Sequence, residues 1–560
     1  MGHDTIAASL AADHEVSRVE KTRKRTLGNV RLRHQETNEI ILIPTPSSDP
    51  NDPLNWPQWY KYYLATVICL AMMVCNFVAA GPSIAMVHIT MDFFKGAHPG
   101  KNPRVFVQAV AKVSYFFTTT ALLQGVGNFF WIPVANKYGR RPTYVISYAI
   151  YFAAVIWLSF ERSYGGFLAG RIIMGFGAGA AETVAPITIA DIFFLHERGA
   201  VMALYSSFLA VGIALGLIIS GLITIHHHWR VIFQVASALV GVVLLIAFFA
   251  FPETAYHREI PQSDDGGSGF VSGRAGSSLE KGGTISTSDV ERSPSRNVPT
   301  VKKTPYLQTL KIFQTKPLTS ENFFKLAVRP LGLIFLPPVL WAALVEAATI
   351  GFLVAMTSNV EIAFEQAYHF KSWQIGLCFI SAIIGCLLGI PVGGKFGDVV
   401  ADYFTKRNGG VRDPEMRLPA MIPAMITSPL ALVLFGVSIQ NKLHWVVPTI
   451  SIALLNFAIV QGTNVALVYV IDAYRPVAGE VTLAVMGFKS LFGFLLSFYT
   501  NTWVSESGYL NAYGVMAAIS AVILLGWIPL YFWGKRIRHA SWSWPVVSYI
   551  HWSDDREVGE

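Results

Sequence analysis

The stretch FLAGRIIMGFGAGAAETVAPITI, residues 167–189, decides the fold of this chain. It exceeds the roughly 20 apolar residues that a helix needs to cross a membrane. It nevertheless contains two charged side chains, Arg171 and Glu182. Because a charge at the bilayer centre costs roughly 2.5 to 3.5 kcal/mol, we expect both residues to be paired or to face a watery cavity.

Eleven further segments are apolar and long enough, or nearly so, to span a membrane. Together with the first they predict these spans: 62–80, 113–134, 143–160, 167–189, 201–223, 231–251, 331–356, 374–392, 421–437, 445–471, 481–503 and 512–533. Composition agrees, since 53% of residues are hydrophobic and 14% are charged, against about 25% charged in typical soluble domains. The sequence therefore predicts an all-α membrane protein with twelve transmembrane helices.

The spans fall into two groups of six, separated by a polar stretch rich in Ser and Gly. We predict a disordered cytosolic tail at 1–60 and an N-terminal six-helix half at 61–251. A flexible cytosolic linker at 252–330 leads to a C-terminal half at 331–534 and a cytosolic tail at 535–560. Most of the 43 Lys and Arg residues lie on the side of the two tails, which favours a cytosolic location for that side.

The net charge and the cysteine positions limit the classes of function that this chain can have. The net charge of +8 comes from basic residues scattered over tails and loops, so contact with anionic lipids is expected and nucleic-acid binding is not. All 4 cysteines lie inside predicted spans, and no metal-ligand spacing or nucleophile motif is present. We therefore expect no metal, no cofactor and no enzymatic activity.

Two loops read as complementary pieces of one motif. The loop after the second span is Asn136-Lys-Tyr-Gly-Arg-Arg-Pro142, and the loop after the eighth is Gly393-Gly-Lys-Phe-Gly-Asp398. Such a repeat indicates two equivalent halves, and transporters commonly place a binding site between repeated halves.

At these loops the chain resembles the major facilitator superfamily, and in particular its fungal drug:proton antiporter branch. The family's loop motif is matched by Lys137, Gly139, Arg140 and Arg141, whereas Ile132 and Asn136 replace the usual Gly and Asp. The later loop keeps that pair as Gly394 and Asp398. Further similarity lies in the segments 52–56, 171–177, 191–199, 252–254 and 412–418.

The resemblance implies the major facilitator fold, with two pseudo-symmetric halves around a central cavity. In that family the first, fourth, seventh and tenth helices line the cavity, which implies that Arg171, Glu182 and Glu346 lie there. Arg171 resembles the arginine that the family links to proton transfer. The resemblance therefore implies coupling to a proton gradient.

The fifth span departs from the antiporter signature. Gly212, Gly216 and Gly221 are kept, but Leu217 replaces the proline and Ser220 replaces a glycine. Without the proline we expect no bend in this helix. The glycines are then equally suited to close helix packing.

Three charged residues besides Arg171 lie in the spans, and each has alternative roles. Glu182 or Glu346 can exchange a proton in a low-dielectric cavity, or each can be locked in a permanent pair. Lys489 can bind an anionic group, counter Glu346, or extend towards the cytosol.

Uncharged polar residues in the spans supply further candidates. In the tenth span, Asn456, Gln461 and Asn464 are candidate substrate ligands, because the resemblance places this helix at the cavity. Gln124 and Asn128 share one face of the second span, and we interpret them as hydrogen-bonding between helices.

Two clusters near the loops have simpler interpretations. The basic residues from Lys137 to Arg141 are expected at a cytosolic gate, contacting acidic partners such as Asp191, or they anchor the third helix. The histidines at 226–228 lie beside Trp229 and are interpreted as interfacial.

We therefore expect a proton-coupled exporter of a small organic molecule such as a drug, toxin or secondary metabolite. Proton-coupled uptake of a nutrient or organic cation is the alternative within transport, and a non-transporting membrane receptor is the alternative outside it. The expected partners are substrate, protons and lipids. We expect a monomer in the plasma membrane, with the vacuolar membrane as the alternative.

Overall fold

The computed structural model is almost entirely helical. It describes residues 30–31, 47, 49–96, 103–256, 306–311, 318–319, 322–409, 411–474, 477–542 and 544. The tails predicted at 1–60 and 535–560 and the linker predicted at 252–330 lie largely outside these residues. The disorder of the N-terminal tail, the flexibility of the linker and the cytosolic location of all three therefore stay predictions.

Six spans form the N-terminal half and run alternately from the inner side, where both termini are predicted, to the outer side. Span 1 follows a short 3-10 turn at Pro53–Asn55 and comprises Gln58–Ala80, a 3-10 segment Gly81–Ala85 and Met86–Phe93. Span 2 comprises Pro103–Val126 and Asn128–Tyr138. Spans 3 to 6 are Arg140–Phe160, Tyr164–Ile192, Leu195–His226 and Val231–Ala250.

The C-terminal half repeats this arrangement. Span 7 is Pro337–Tyr368, and span 8 comprises Ser372–Cys378, Ile380–Pro391, a π turn at Val392–Phe396, and Gly397–Arg407. Span 9 comprises Pro414–Met421 and Ile422–Gln440, and span 10 is Val446–Ala473. The helix Ala478–Leu525 reverses at Gly508, so it holds span 11 and the start of span 12, which ends with Trp527–Trp542. Outside the spans lie Tyr306–Thr309, Phe323–Leu333 and the paired strands Val30–Arg31 and Val411–Arg412.

The helices agree with the predicted spans in number and order. Among the described residues, 11 helical segments are long and apolar enough to cross a membrane. Span 2 is the remaining one, and it is less apolar because polar residues such as Gln124 and Asn128 lie in it. The break between its two helices falls at Gly127.

Several boundaries differ from the prediction, and two of them have a local cause. Span 7 was expected at 331–356 but begins at Pro337, a residue type that favours the first helical position. The apolar residues before it belong to the separate helix Phe323–Leu333. At the other end, span 12 continues past residue 534, where buried Arg538 pairs with Glu415.

Small residues bring the two halves together. A Cβ added at Gly221 of span 5 would meet the backbone of Ser372 and Trp373 in span 8 at 3.1–3.3 Å. Nearer the inner side, a Cβ at Gly394 of span 8 would lie 3.2 Å from the Cα of Ala200 in span 5. Since backbones approach this closely only where side chains are small, spans 5 and 8 seal one side of the interface between the halves.

Candidate functional site

Glu182 of span 4 and Lys489 of span 11 form an ion pair across the two halves. Lys489 Nζ donates to Glu182 Oε1, and both residues are buried. Of the alternatives for Lys489, the structure therefore shows a pairing with a carboxylate, but with Glu182 in place of Glu346. Span 11 packs against spans 2 and 4 of the other half as well as against span 7, which brings Lys489 within reach of Glu182.

Other polar groups hold Glu182 in place. Gln124 Nε2 of span 2 donates to Glu182 Oε2 at 3.2 Å and approaches Cys75 Sγ at 3.4 Å. The Tyr205 hydroxyl donates to the Glu182 backbone carbonyl at 2.6 Å. Gln124 thus belongs to the site, although its sequence suggested only helix packing. The sequence feature that points to Gln124 as a site residue is its polar side chain within an apolar span.

Glu346 of span 7 is the second carboxylate of the site. It is buried and interacts electrostatically with both Lys489 and Glu182. The structure therefore gathers two carboxylates and one ammonium group. When all three are charged, one negative charge is unmatched, and an unmatched buried charge is strongly unfavourable.

A cavity of about 890 Å³, including space open to solvent, lies between the halves and extends from this ion pair towards the outer side. Spans 1, 2, 4 and 5 line it from one half, and spans 7 and 11 from the other. Its lining is mainly apolar and includes Phe117, Ile213, Ile350 and Val354, with Asn76 and Ser358 among the polar groups. Glu182, Lys489 and Gln124 also face this cavity.

Arg171 lies behind the cavity wall and does not line the cavity. Its Nε donates to the Phe116 carbonyl at 3.1 Å and its Nη1 to the Val78 carbonyl at 3.3 Å. The guanidinium lies 4.8 Å from the ring centre of Phe117, which does face the cavity. The expectation that Arg171 and Glu182 look into one cavity therefore holds for Glu182 alone.

The three polar residues of span 10 also lie away from this cavity. Asn456 bonds the Ile452 carbonyl of its own helix at 2.8 Å. Gln461 joins span 10 to span 9, where it accepts from the Ala424 amide at 3.0 Å and donates to the Ala420 carbonyl. The interpretation of Asn456 and Gln461 as substrate ligands is therefore not supported by their positions.

Asn464 has a different position, between the halves at the inner side. Its Nδ2 donates to the Gly393 carbonyl of span 8 at 2.7 Å and to the Gly199 carbonyl of span 5 at 3.4 Å. Asn128 of span 2 makes a contact between helices of one half. Its Oδ1 accepts a hydrogen bond from the Thr183 hydroxyl of span 4 at 2.8 Å, which fits the interhelical role expected for Asn128.

The basic loop after span 2 contacts the acidic residue named from the sequence. Arg140 Nε donates to Asp191 Oδ2 at 3.0 Å, with both side chains buried. Arg140 Nη1 also donates to Asn136 Oδ1 at 3.0 Å, so the residue that replaces the usual Asp of this motif still accepts a hydrogen bond from the arginine. These contacts join the inner ends of spans 2, 3 and 4.

Glu253, which follows span 6, binds the backbone of this loop. Glu253 accepts from the backbone amides of Arg140 at 2.8 Å and Arg141 at 3.2 Å. Burial raises the pKa of the Glu253 carboxyl, although these amides and the Arg140 charge act in the opposite direction. Gly139 has φ 111°, and a Cβ there would collide with Glu253. Lys137 lies in the same turn, and its carbonyl accepts from the Leu318 amide at 2.9 Å.

The second loop lies where the halves meet on the inner side. Asp398 pairs with Arg417 and lies 3.9 Å from Arg412. A Cβ at Gly199 of span 5 would lie 2.6 Å from the Asp398 carboxylate. With Asn464 bonded to the same glycine, these contacts join the two halves on the inner side.

The glycines of span 5 lie at close helix contacts, and the helix is continuous from Leu195 to His226. Added Cβ atoms at Gly212 and Gly216 would collide with the backbone of span 1 at Met73 and Phe77. This position matches the packing interpretation of these residues.

No cluster of three or more His, Cys, Asp or Glu side chains suited to a metal ion occurs within the described residues. Of the histidines at 226–228, His228 is half exposed and lies 3.7 Å from Asp92.

Relatives of this chain are membrane transporters. An uncharacterised MFS-type transporter of Schizosaccharomyces pombe is 23% identical over 92% of this chain and 90% of its own length. The MFS transporter cpaT of Aspergillus oryzae is 24% identical over 88% of this chain and 90% of its own length. A probable drug/proton antiporter of Saccharomyces cerevisiae is 24% identical, with 86% of each chain aligned.

Solved structures share the fold. The proton:xylose symporter XylE superposes with a TM-score of 0.57 at 13% identity, covering 84% of this chain and 95% of that one. The human organic anion transporter MFSD10 superposes with a TM-score of 0.53 at 14% identity, covering 84% of this chain and 99% of that one. The predicted fold is thereby confirmed. Because residues 64–497 also match the family model of the Major Facilitator Superfamily, the chain belongs to that superfamily of transporters.

Proposed function

We propose that this transporter exchanges protons for a small organic molecule and exports a drug, toxin or secondary metabolite. The observation that carries the proposal is the buried ion pair of Glu182 and Lys489, which joins the two halves at one end of a cavity lined by both. Alternating access requires the halves to separate on one side and then on the other, so this pair must break during transport.

A proton supplies the means of breaking it. When Glu182 is protonated, Lys489 loses its charged partner and the carboxyl no longer requires an ammonium group. Glu346 then offers Lys489 a second carboxylate nearby. Proton binding therefore exchanges the partners of Lys489 without leaving a bare charge in the membrane, which would cost several kcal/mol.

The cavity supports a small organic substrate. Ligand sites are mainly apolar with a few placed polar groups, and here apolar side chains surround Gln124, Asn76 and the ion pair. The similarity to a yeast protein that is a probable drug/proton antiporter supports export with proton exchange. We further propose that the protein works as a monomer in the plasma membrane, with the proton gradient as its energy source.

One observation favours a second candidate. Two carboxylates against one ammonium group leave a net negative charge around the ion pair at the end of the cavity, although Glu346 itself does not line the cavity, and a cationic substrate would balance that charge. Proton-coupled uptake of an organic cation is therefore the alternative transport function. A non-transporting receptor remains the alternative outside transport, and it requires no response to a proton gradient.

The test is metabolite profiling of cells and medium, with and without this protein, under an imposed inward proton gradient. Glu182→Gln is the test variant, and Glu506→Gln is the matched control because Glu506 is exposed near the outer end of span 11. A compound that leaves the cells with wild type and the control, but not with Glu182→Gln, supports proton-coupled export. Accumulation in the cells would support uptake, and no gradient-dependent difference would contradict transport.

A further inference from the structure

Span 4 carries a proline one helical turn beyond Glu182. In an α-helix the backbone N–H of each residue donates to the carbonyl four residues earlier, so the Glu182 carbonyl would accept from residue 186. That residue is Pro186, which has no N–H to donate. The helix nevertheless continues from Tyr164 to Ile192, and Glu182 and Pro186 are both buried in it. The proline therefore frees the backbone carbonyl of the residue whose carboxylate pairs with Lys489.

Tyr205 of span 5 supplies a donor in place of the missing amide. Its hydroxyl donates to the Glu182 carbonyl at 2.6 Å, and 1% of the residue is exposed. The same hydroxyl lies 3.8 Å from Met72 Sδ of span 1, which is a longer and weaker contact. A proline is tolerated within a membrane helix where a neighbouring group satisfies the freed carbonyl. Tyr205 therefore satisfies the acceptor that Pro186 leaves open.

A second proline in this half has a partner of the same kind. Pro82 lies in the 3-10 segment of span 1, four residues beyond Val78. The Val78 carbonyl accepts from Arg171 Nη1 of span 4 at 3.3 Å. Side chains from neighbouring spans thus replace the missing amide of a proline at two positions in the helices that line the cavity between the halves.

The contact of Tyr148 with span 1 is similar but lacks the proline. The Tyr148 hydroxyl donates to the Ala71 carbonyl at 2.7 Å, and Tyr148 is also buried. The residue four positions beyond Ala71 is Cys75, which keeps its backbone N–H inside the same helix. Loss of the Tyr148 hydroxyl leaves the Ala71 carbonyl its helical amide. Loss of the Tyr205 hydroxyl leaves the carbonyl before Pro186 with neither the amide nor the hydroxyl.

We propose that Tyr205 is a positioning residue for the ion pair, because it fixes the turn of span 4 that bears Glu182. The carbonyl and the carboxylate belong to one residue, so a shift of the backbone at this turn moves the carboxylate as well. Without the hydroxyl, the turn relaxes towards another donor, and the carboxylate moves away from Lys489 Nζ and Gln124 Nε2. The role of Tyr205 in transport rests on the proposed function, in which Glu182 binds the proton.

The first measurement tests the bond to the freed carbonyl. Denaturant unfolding at pH 8 is followed for the full-length wild type, Tyr205→Phe, Pro186→Ala and the double variant. Tyr205→Phe should raise the unfolding equilibrium constant about tenfold or more, because it leaves a buried acceptor unsatisfied. In the Pro186→Ala background, which regains an amide, it should raise the constant only about threefold, as for an ordinary hydrogen bond between membrane helices. Tyr148→Phe is the matched control, with about threefold in both backgrounds.

The second measurement separates positioning from a bond that only stabilises the helix. Tyr205→Phe is repeated in a background where Glu182→Gln and Lys489→Met remove both charges. The freed carbonyl is still present there, so a bond that only stabilises the helix gives the same fold-change in both backgrounds. Positioning of the carboxylate makes the fold-change at least about threefold smaller when the pair is absent. This comparison does not need Pro186→Ala, so it tests the proposal even where that variant folds poorly.

Equal effects of Tyr205→Phe with and without the ion pair would overturn the positioning role, as would an effect no larger than that of Tyr148→Phe. The assay needs neither a substrate nor a proton gradient, so its outcome is separate from that of the transport test. Gradient-driven transport without coupling between Tyr205 and the ion pair contradicts the positioning role alone. Such coupling together with a failed transport test contradicts the proposed function alone.

Discussion

The ion pair between Glu182 and Lys489 gives the sharpest prediction about stability. Lys489→Met removes the ammonium group and keeps a side chain of similar length. It leaves Glu182 buried, with Gln124 as its remaining hydrogen-bond donor at 3.2 Å. We expect this variant to unfold more easily than the wild type. Glu182→Gln should do the same to a smaller extent, because Lys489 loses its paired carboxylate but Glu346 lies nearby.

The magnitude follows from burial. Lys489 is 5% exposed and Glu182 is 3% exposed, so solvent screens the pair little. Removing one partner of a buried pair costs about 3 to 5 kcal/mol, whereas replacing both with neutral groups is often close to neutral. The double variant should therefore lie within about 2 kcal/mol of wild type, with a coupling free energy of at least 2 kcal/mol between the two sites.

The assay is denaturant unfolding of purified protein at pH 8, for the wild type, both single variants and the double variant. Lys406→Met is the matched control, because Lys406 is exposed at the inner end of span 8, and it should change stability by about 0.5 kcal/mol or less. The reasoning would be refuted if the loss of unfolding free energy in the double variant equalled the sum of the two single losses. It would also be refuted if the single variants were no more destabilised than the control.

Three further predictions concern the inner side and helix packing. Arg140→Ala should lower turnover at normal surface expression, because it removes the buried ion pair between Arg140 and Asp191; unchanged initial rates of transport would contradict a gating role. Gly139→Ala should destabilise the protein by about 1 to 3 kcal/mol, since φ is 111° and a Cβ would collide with Glu253; thermal unfolding measures this, and an unchanged midpoint would count against it. Gln461→Leu should lower the unfolding midpoint through loss of its bonds to span 9 while leaving the apparent KM unchanged, so a raised KM with normal stability would return Gln461 to the substrate site.

Much of the architecture could be predicted from the sequence because membrane insertion depends on local chain properties. The length and apolar character of each segment decide whether it crosses the bilayer, so the number, order and approximate bounds of the spans followed from composition alone. The same reasoning identified Glu182, Glu346 and Lys489 as candidate functional residues, because charged side chains are rare within transmembrane segments. The repeated loop motif likewise indicated two halves.

Only the tertiary structure decided which of these groups meet. The partner of Lys489 depends on how span 11 packs beside span 4, and the sequence of neither helix states that arrangement. Gln124 faces the cavity while Gln461 packs between helices, although both are glutamines in apolar spans. Hydrophobicity fixes how far along the membrane normal each residue lies, but the rotation and neighbours of each helix come from side-chain packing between segments distant in the chain.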